Sequence, residues 1–219
     1  MNTVTDVLTA ARQQISRETE PNRFVDLLVC GQVPKERLGR LAGELYSLVG
    51  SDRRSFAMLA SRFPSPPARD LYLTMVEGEE EALRLLLDFA AELGMGEQEL
   101  RDYEPQPMAQ AYPVCLSQSA QFGSSSDIAL GLLANARESG EIYSCVADAL
   151  ISRYGFQEPA VAHFRFFADT PQSLLDQAAA TVESGLADGD DPAAAVRCAR
   201  IVHSLESQFW NCLARDLAF

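Results

Sequence analysis

Ile201-Val202-His203-Ser204-Leu205-Glu206-Ser207-Gln208-Phe209-Trp210 decides the reading of this chain. Its apolar residues recur with a helical period, which predicts a long amphipathic helix over 192–216. Glu206 lies on that helix beside Phe209 and Trp210, the chain's only tryptophan. A carboxylate next to a large aromatic pair points to a pocket, because burial there would raise its pKa and suit it to acid–base work near neutrality.

Outward from that stretch, nearly every segment repeats the helical period. Thr5 opens a helix carrying Val7, Leu8, Ala11 and Ile15, which Pro21 ends. Asn22 is placed to cap a short helix through Phe24, Leu27 and Leu28. Pro34 suits the first turn of a helix carrying Leu38, Leu41, Leu45 and Leu48. Gly50-Ser51-Asp52 is expected to break that helix before Phe56 and Leu59 resume it. Ser65-Pro66-Pro67 introduces a helix from Ala68 to about Leu93, and Tyr103 to Pro107 forms a connector. Further helices are expected over 108–122, 125–138, 140–154, 158–168 and 171–186. Gly123, Gly140, Gly155 and Gly189 fall at their ends as caps or turns, and Pro113 marks a kink or a late start. No strand alternation and no fixed-period repeat is present. The expectation is an all-α single domain over 1–219: about nine helices bundled around a central pocket.

Composition narrows the function. Eighteen basic against 31 acidic residues give a formal charge of −13. That balance speaks against nucleic acid and against anionic membranes as partners. No apolar run is long enough to span a bilayer. Met1 to Asp6 lacks the basic-then-apolar order of a secretory leader, so a cytoplasmic protein is expected. Cys30, Cys115, Cys145, Cys198 and Cys212 are scattered, odd in number and without a CxxC, which reads as buried free thiols.

Four stretches give the chain a resemblance to the haem-oxygenase-like superfamily, in particular its TenA/PqqC branch. These are Glu44-Leu45-Tyr46 followed by Phe56 to Pro64, the acidic helix from Leu71 to Gly94, Pro107 to Tyr112, and Glu206 to Trp210. The last matches the Glu-x-x-Phe-Trp ending of TenA-like thiaminases. The resemblance implies a haem-oxygenase-like bundle in which Glu44, standing where the family has Asp, lines a pocket with Tyr46, Tyr112 and Glu206. The departures are as informative. The thiaminases carry a nucleophilic Cys where this chain has Leu132-Leu133-Ala134-Asn135-Ala136, and Cys145 lies two and a half turns too far along. Without a thiolate there, covalent attack on a thiamin-like substrate loses its nucleophile. The di-iron oxidases of the superfamily need a His-x-x-x-Asp-x-x-His run, where this chain has Phe167, Pro171 and Leu174. Two histidines in all, His163 and His203, are too few for that site. Arg165 sits in a segment matching the Phe-Arg of PqqC, again without the adjacent His.

The candidate catalytic residues are therefore Glu206, Glu44 and Tyr112, with Tyr46, Asn135, Phe209, Trp210 and Arg165 as substrate contacts and no metal or other cofactor expected. Each has a plainer reading. Glu206 would pair with Arg200 or Arg215, Glu44 and Tyr46 would form a solvated face, and Tyr112 would be a core tyrosine. Likewise His163 would only pack, and the Glu79–Glu81 run would be a solvated helix edge. His203 and Glu206, i and i+3 on one helix, share a face. The leading expectation is a metal-independent enzyme of small-molecule, specialised biosynthetic metabolism. Its partners would be a small organic substrate and, at most, a second copy in a homodimer. The rivals are a non-catalytic ligand-binding or regulatory protein of the same fold, and an oxidase with an atypical iron site at His203, Glu206 and Glu80.

Overall fold

The computed structural model describes residues 3–18 and 20–217; Met1 and Asn2, part of the stretch read above for a leader, lie outside them. Ten α-helices and no strand are found among the described residues: α1 (Val4–Glu18), α2 (Arg23–Val29), α3 (Leu38–Arg62), α4 (Ala68–Glu92), α5 (Glu97–Arg101), α6 (Ala111–Phe122), α7 (Ser125–Tyr154), α8 (Ala162–Ala168), α9 (Gln172–Asp188) and α10 (Pro192–Leu213). The all-α bundle is what the helical periods led one to expect, and its haem-oxygenase-like form is what the resemblance implied. None of these helices is long and apolar enough to cross a membrane.

The local chemistry of the ends matches the sequence in most places. Asn22 caps α2 through Oδ1, which accepts the Val25 amide at 3.1 Å, satisfying one of the donors a helix start leaves free. Asp191 does the same for α10 at Ala193, with Pro192 in the first turn. Pro113 marks a late start, lying in the first turn of α6 where its missing N–H costs nothing. Gly155 and Gly189 end α7 and α9 with φ of 77° and 103°, the left-handed conformation that a Cβ disfavours.

Two expected breaks do not occur. α3 runs unbroken through Gly50, Ser51 and Asp52, because Ser55 returns its hydroxyl to the Ser51 carbonyl at 3.1 Å and Asp52 turns inward, 3% exposed. α7 likewise runs through Gly140. That glycine is there for close approach: a Cβ at 140 would stand 2.7 Å from the Ala168 carbonyl oxygen at the end of α8. The short α5 has no counterpart in the sequence-based expectation.

α3 packs along α4, and α7 packs against α8, α9 and α10. The buried apolar residues form two clusters. One gathers α2, the first half of α3, the end of α4 and the second half of α7 around Phe24, Phe89, Phe164 and Trp210. The other gathers α1, the second half of α3, α6, α9 and the first half of α10 around Phe56, Leu71 and Tyr72. The bundle stays hollow where the two meet. Of the five cysteines, only Cys212 is buried; Cys30 and Cys145 are exposed, against expectation, since Cys30 lies in the turn that ends α2 and Cys145 on the outer face of α7.

Gly140→Ala should destabilise the protein by about 1–3 kcal/mol through overpacking at the Ala168 carbonyl. The measurement is the denaturant midpoint with the slope unchanged.

Candidate active site

The hollow is a cavity of about 410 Å³. α10 contributes Val202, Glu206, Phe209 and Trp210; α3 contributes Asp52 and Phe56; α4 contributes Glu79; α6 contributes Tyr112 and Leu116. α7 forms one wall with Asn135, Ser139 and Tyr143, and Phe166 and Phe167 of α8 close the end. Trp210 is fixed on three sides, with ring centroids 6.3 Å from Phe24, 5.3 Å from Tyr143 and 5.6 Å from Phe209. The Tyr143 and Phe209 contacts are edge-on, the geometry that favours aromatic pairs by about 0.5–1.5 kcal/mol each.

Glu206 accepts a hydrogen bond from Ser139 Oγ at 2.8 Å. It pairs with neither arginine considered above; Arg200 is bonded to Glu18 at 2.9 Å instead. Burial pushes the Glu206 carboxyl up to about 7, and the Ser139 bond only partly opposes that. Two further acids with raised pKa share the cavity, whose lining also includes Asp169. Burial pushes Glu79 up to about 8. Asp52 is raised well above the usual carboxylate range, first by burial and then by the charges of Glu79 and Glu206; the Tyr112 hydroxyl, facing it, pulls the other way. Tyr112 and Tyr143 are themselves raised by burial and by these carboxylates, so both phenols stay protonated.

The buried polar atoms left without a partner here are two carboxyl oxygens and an amide oxygen: Asp52 Oδ1, Glu79 Oε2 and Asn135 Oδ1. No lysine, arginine or histidine lines the cavity among the described residues. Each unpartnered buried acceptor costs about 1–3 kcal/mol, which a ligand donor would recover.

Of the residues singled out from sequence, the fold brings Glu206, Tyr112, Asn135, Phe209 and Trp210 together. It takes three away. Glu44 is fully buried on α3 outside the cavity lining, where Glu44 Oε1 accepts from the Tyr103 hydroxyl at 2.9 Å and the Gln106 amide at 2.8 Å. Gly43 lets the Tyr103 ring lie against α3 and make that bond. Tyr46 packs at the edge of the core and faces Arg101 rather than the cavity. Arg165 points outward to Asp148 at 2.8 Å and Glu158 at 3.4 Å.

Sequence reasoning missed Asp52 and Glu79, and placed Glu79 in a solvated edge. A signal was present: each of the three cavity acids interrupts an apolar stripe at helical spacing. Asp52 falls between Leu45, Leu48 and Phe56, Glu79 between Met75 and Ala82, and Glu206 between Val202 and Phe209.

The atypical iron site is not assembled. Glu80 is exposed and paired with Arg53, and among the described residues no three His, Cys, Asp or Glu side chains could hold a metal ion together. His163 packs between Phe164 and Phe167 with Nδ1 2.8 Å from the Ala82 carbonyl oxygen, and burial lowers its pKa to about 4.

The chain belongs to the TENA/THI-4/PQQC family, whose model matches residues 13–211. Its fold is similar to that of a TenA homologue from P. horikoshii OT3, at a TM-score of 0.72 and 19% identity, covering 97% of this chain and 99% of that one. It is also similar to a TenA homologue from Pyrococcus furiosus (TM-score 0.69, 20% identity, 96% and 100% covered). Haem oxygenase-1 from the cyanobacterium Synechocystis, solved with haem, shares the fold more distantly (TM-score 0.63, 17% identity, 99% and 94% covered). No curated protein sequence matches the chain.

The raised carboxyls predict a pH signature. An acid whose folded pKa exceeds its unfolded value binds more protons folded than unfolded between the two. Its burial is therefore tolerated below about 4.5 and increasingly costly as pH rises through 7 for Glu206 and 8 for Glu79. Glu206→Gln and Glu79→Gln should each raise the melting temperature over the unsubstituted protein, by an increment that grows from pH 5 and levels off above about pH 7 for Glu206 and about pH 8 for Glu79. Calorimetry across that range checks it.

Proposed function

We propose that this protein is an enzyme of small-molecule metabolism that binds a basic nitrogen compound in the inner cavity and processes it by acid–base catalysis. The observation that carries this reading is the cavity's polarity: three carboxyls and an unpartnered amide oxygen face an aromatic chamber that no cationic side chain lines. An aromatic box with acceptors at one end suits a planar or protonated nitrogen group, which supplies the missing N–H donors and stacks on the rings.

Glu206 is the proton carrier. With its pKa near 7, it gives a proton to a reacting atom and takes it back without leaving the physiological range. Ser139 fixes the orientation of that carboxyl. Asp52 with Tyr112 holds the nitrogen head, and Asn135 accepts one of its N–H bonds. Asn135 stands where the family resemblance would put a thiolate, and an amide is no nucleophile, so the chemistry runs through proton transfer rather than a covalent intermediate. Val114 and Phe122, exposed on one face of α6, support a homodimer.

The test is to incubate the purified protein with a pooled metabolite extract and follow mass features over time. Features consumed by the unsubstituted protein should be bound but turned over at least about a hundredfold more slowly by Glu206→Gln. Features retained and returned unchanged by both proteins would make this a binder and end the enzymatic reading.

A further inference from the structure

The inner cavity is not isolated. A second, wider groove of about 620 Å³ lies on the other side of α7. Along that helix Leu132, Asn135 and Ser139 face inward, while Leu133, Arg137 and Glu141 face the groove. At one place the partition is thin. Ala136, Asp169 and Thr170 line both spaces, so the Ala136 methyl and the short α8–α9 connector stand between them.

The charged groups of the groove are mostly engaged with one another. Arg137 bonds Glu141 at 2.9 Å, Asp176 accepts from Gln172 at 2.9 Å, and Arg12 donates to the Leu133 carbonyl at 3.0 Å. Asp169 differs. It is exposed at the opening and makes no hydrogen bond or ion pair among the described residues. Acceptors therefore continue outward from Asp52, Glu79 and Glu206, past Asn135, whose buried Oδ1 (the residue is 6% exposed) has no partner, to a free carboxylate at the way out.

We propose that the substrate carries a second cationic nitrogen, which passes the methyl of Ala136 and pairs with Asp169 at the opening to the outer groove. This rests on the basic-nitrogen reading of the inner cavity and narrows it to diamines and longer polyamines. An acidic surface by itself attracts cations of any length, and the attraction grows smoothly with charge. Two acceptor points held at a fixed separation by α7 and the connector instead select one chain length.

The experiment uses Trp210, the only tryptophan, as an intrinsic fluorescence probe on the cavity wall. The protein is titrated with straight-chain diamines from 1,3-diaminopropane to 1,8-diaminooctane, with the matching monoamines, and with 6-aminohexanoate. One diamine length should bind about tenfold tighter than its monoamine, the worth of one added charge-assisted hydrogen bond. In Asp169→Asn, an isosteric change at an exposed site, the ratio of diamine to monoamine affinity should fall close to one. Ala136→Leu should narrow the opening and abolish the length optimum, with its fold checked by circular dichroism. A smooth rise with chain length, a ratio unchanged in Asp169→Asn, or tighter binding of 6-aminohexanoate than of either amine would overturn the proposal while leaving the inner-cavity reading intact. No fluorescence response to any amine would overturn the basic-nitrogen reading itself, and this inference with it.

Discussion

The structure turns on drawing the Glu206 carboxyl away from bulk water, half-buried against the cavity, with one neutral hydroxyl as its protein donor. A lone hydrogen bond does not replace the hydration of an ionised carboxylate, so the group settles as an acid that titrates near neutrality. Everything around it is consistent with that choice. α10 is anchored by Trp210 between Phe24 and Tyr143, which keeps the carboxyl from swinging to solvent. Asp52 and Glu79 add like charge from α3 and α4, which penalises simultaneous ionisation of the set. A protein that places three such groups in one chamber gives up stability above neutral pH. The offset is a chamber whose carboxyls ionise once an opposite charge enters to stabilise them.

Much of the fold was legible in the sequence because it depends on local rules. Helical period, Pro and Asn near the starts, and glycine at the ends of α7 and α9 each act over a few residues. The site was legible only where a residue stood out from its own neighbourhood. Glu206 did, beside the sole tryptophan. Asp52 did not, because Gly50-Ser51-Asp52 also reads as a turn, and only the packing of α3 along α4 decides that the helix continues. Glu79 was hidden inside a run of acids whose other members do face water: Glu81 is exposed and paired with Arg84, and Glu80 with Arg53.

The misplacement of Glu44 has a related cause. Glu44 and Asp52 are eight residues apart on α3 and about 80° apart around it, yet both fall on its buried side, so the apolar pattern alone does not say which of them meets a cavity. What separates them is non-local. Tyr103, reaching across Gly43, claims Glu44 for the connector after α5, whereas Asp52 has Tyr112 opposite it and open space beyond. Sequence order holds no record of which tyrosine meets which acid.

α7 is thirty residues long, about 45 Å at 1.5 Å per residue, and serves as a party wall between two compartments. Neighbouring positions such as Leu132 and Leu133 belong to different rooms. Selection can therefore redecorate one room without disturbing the other, and descendants of this scaffold can exchange the chemistry of the inner chamber while the outer groove drifts. Along α7, Ala136 alone borders both rooms, so a change at that one position alters the two together.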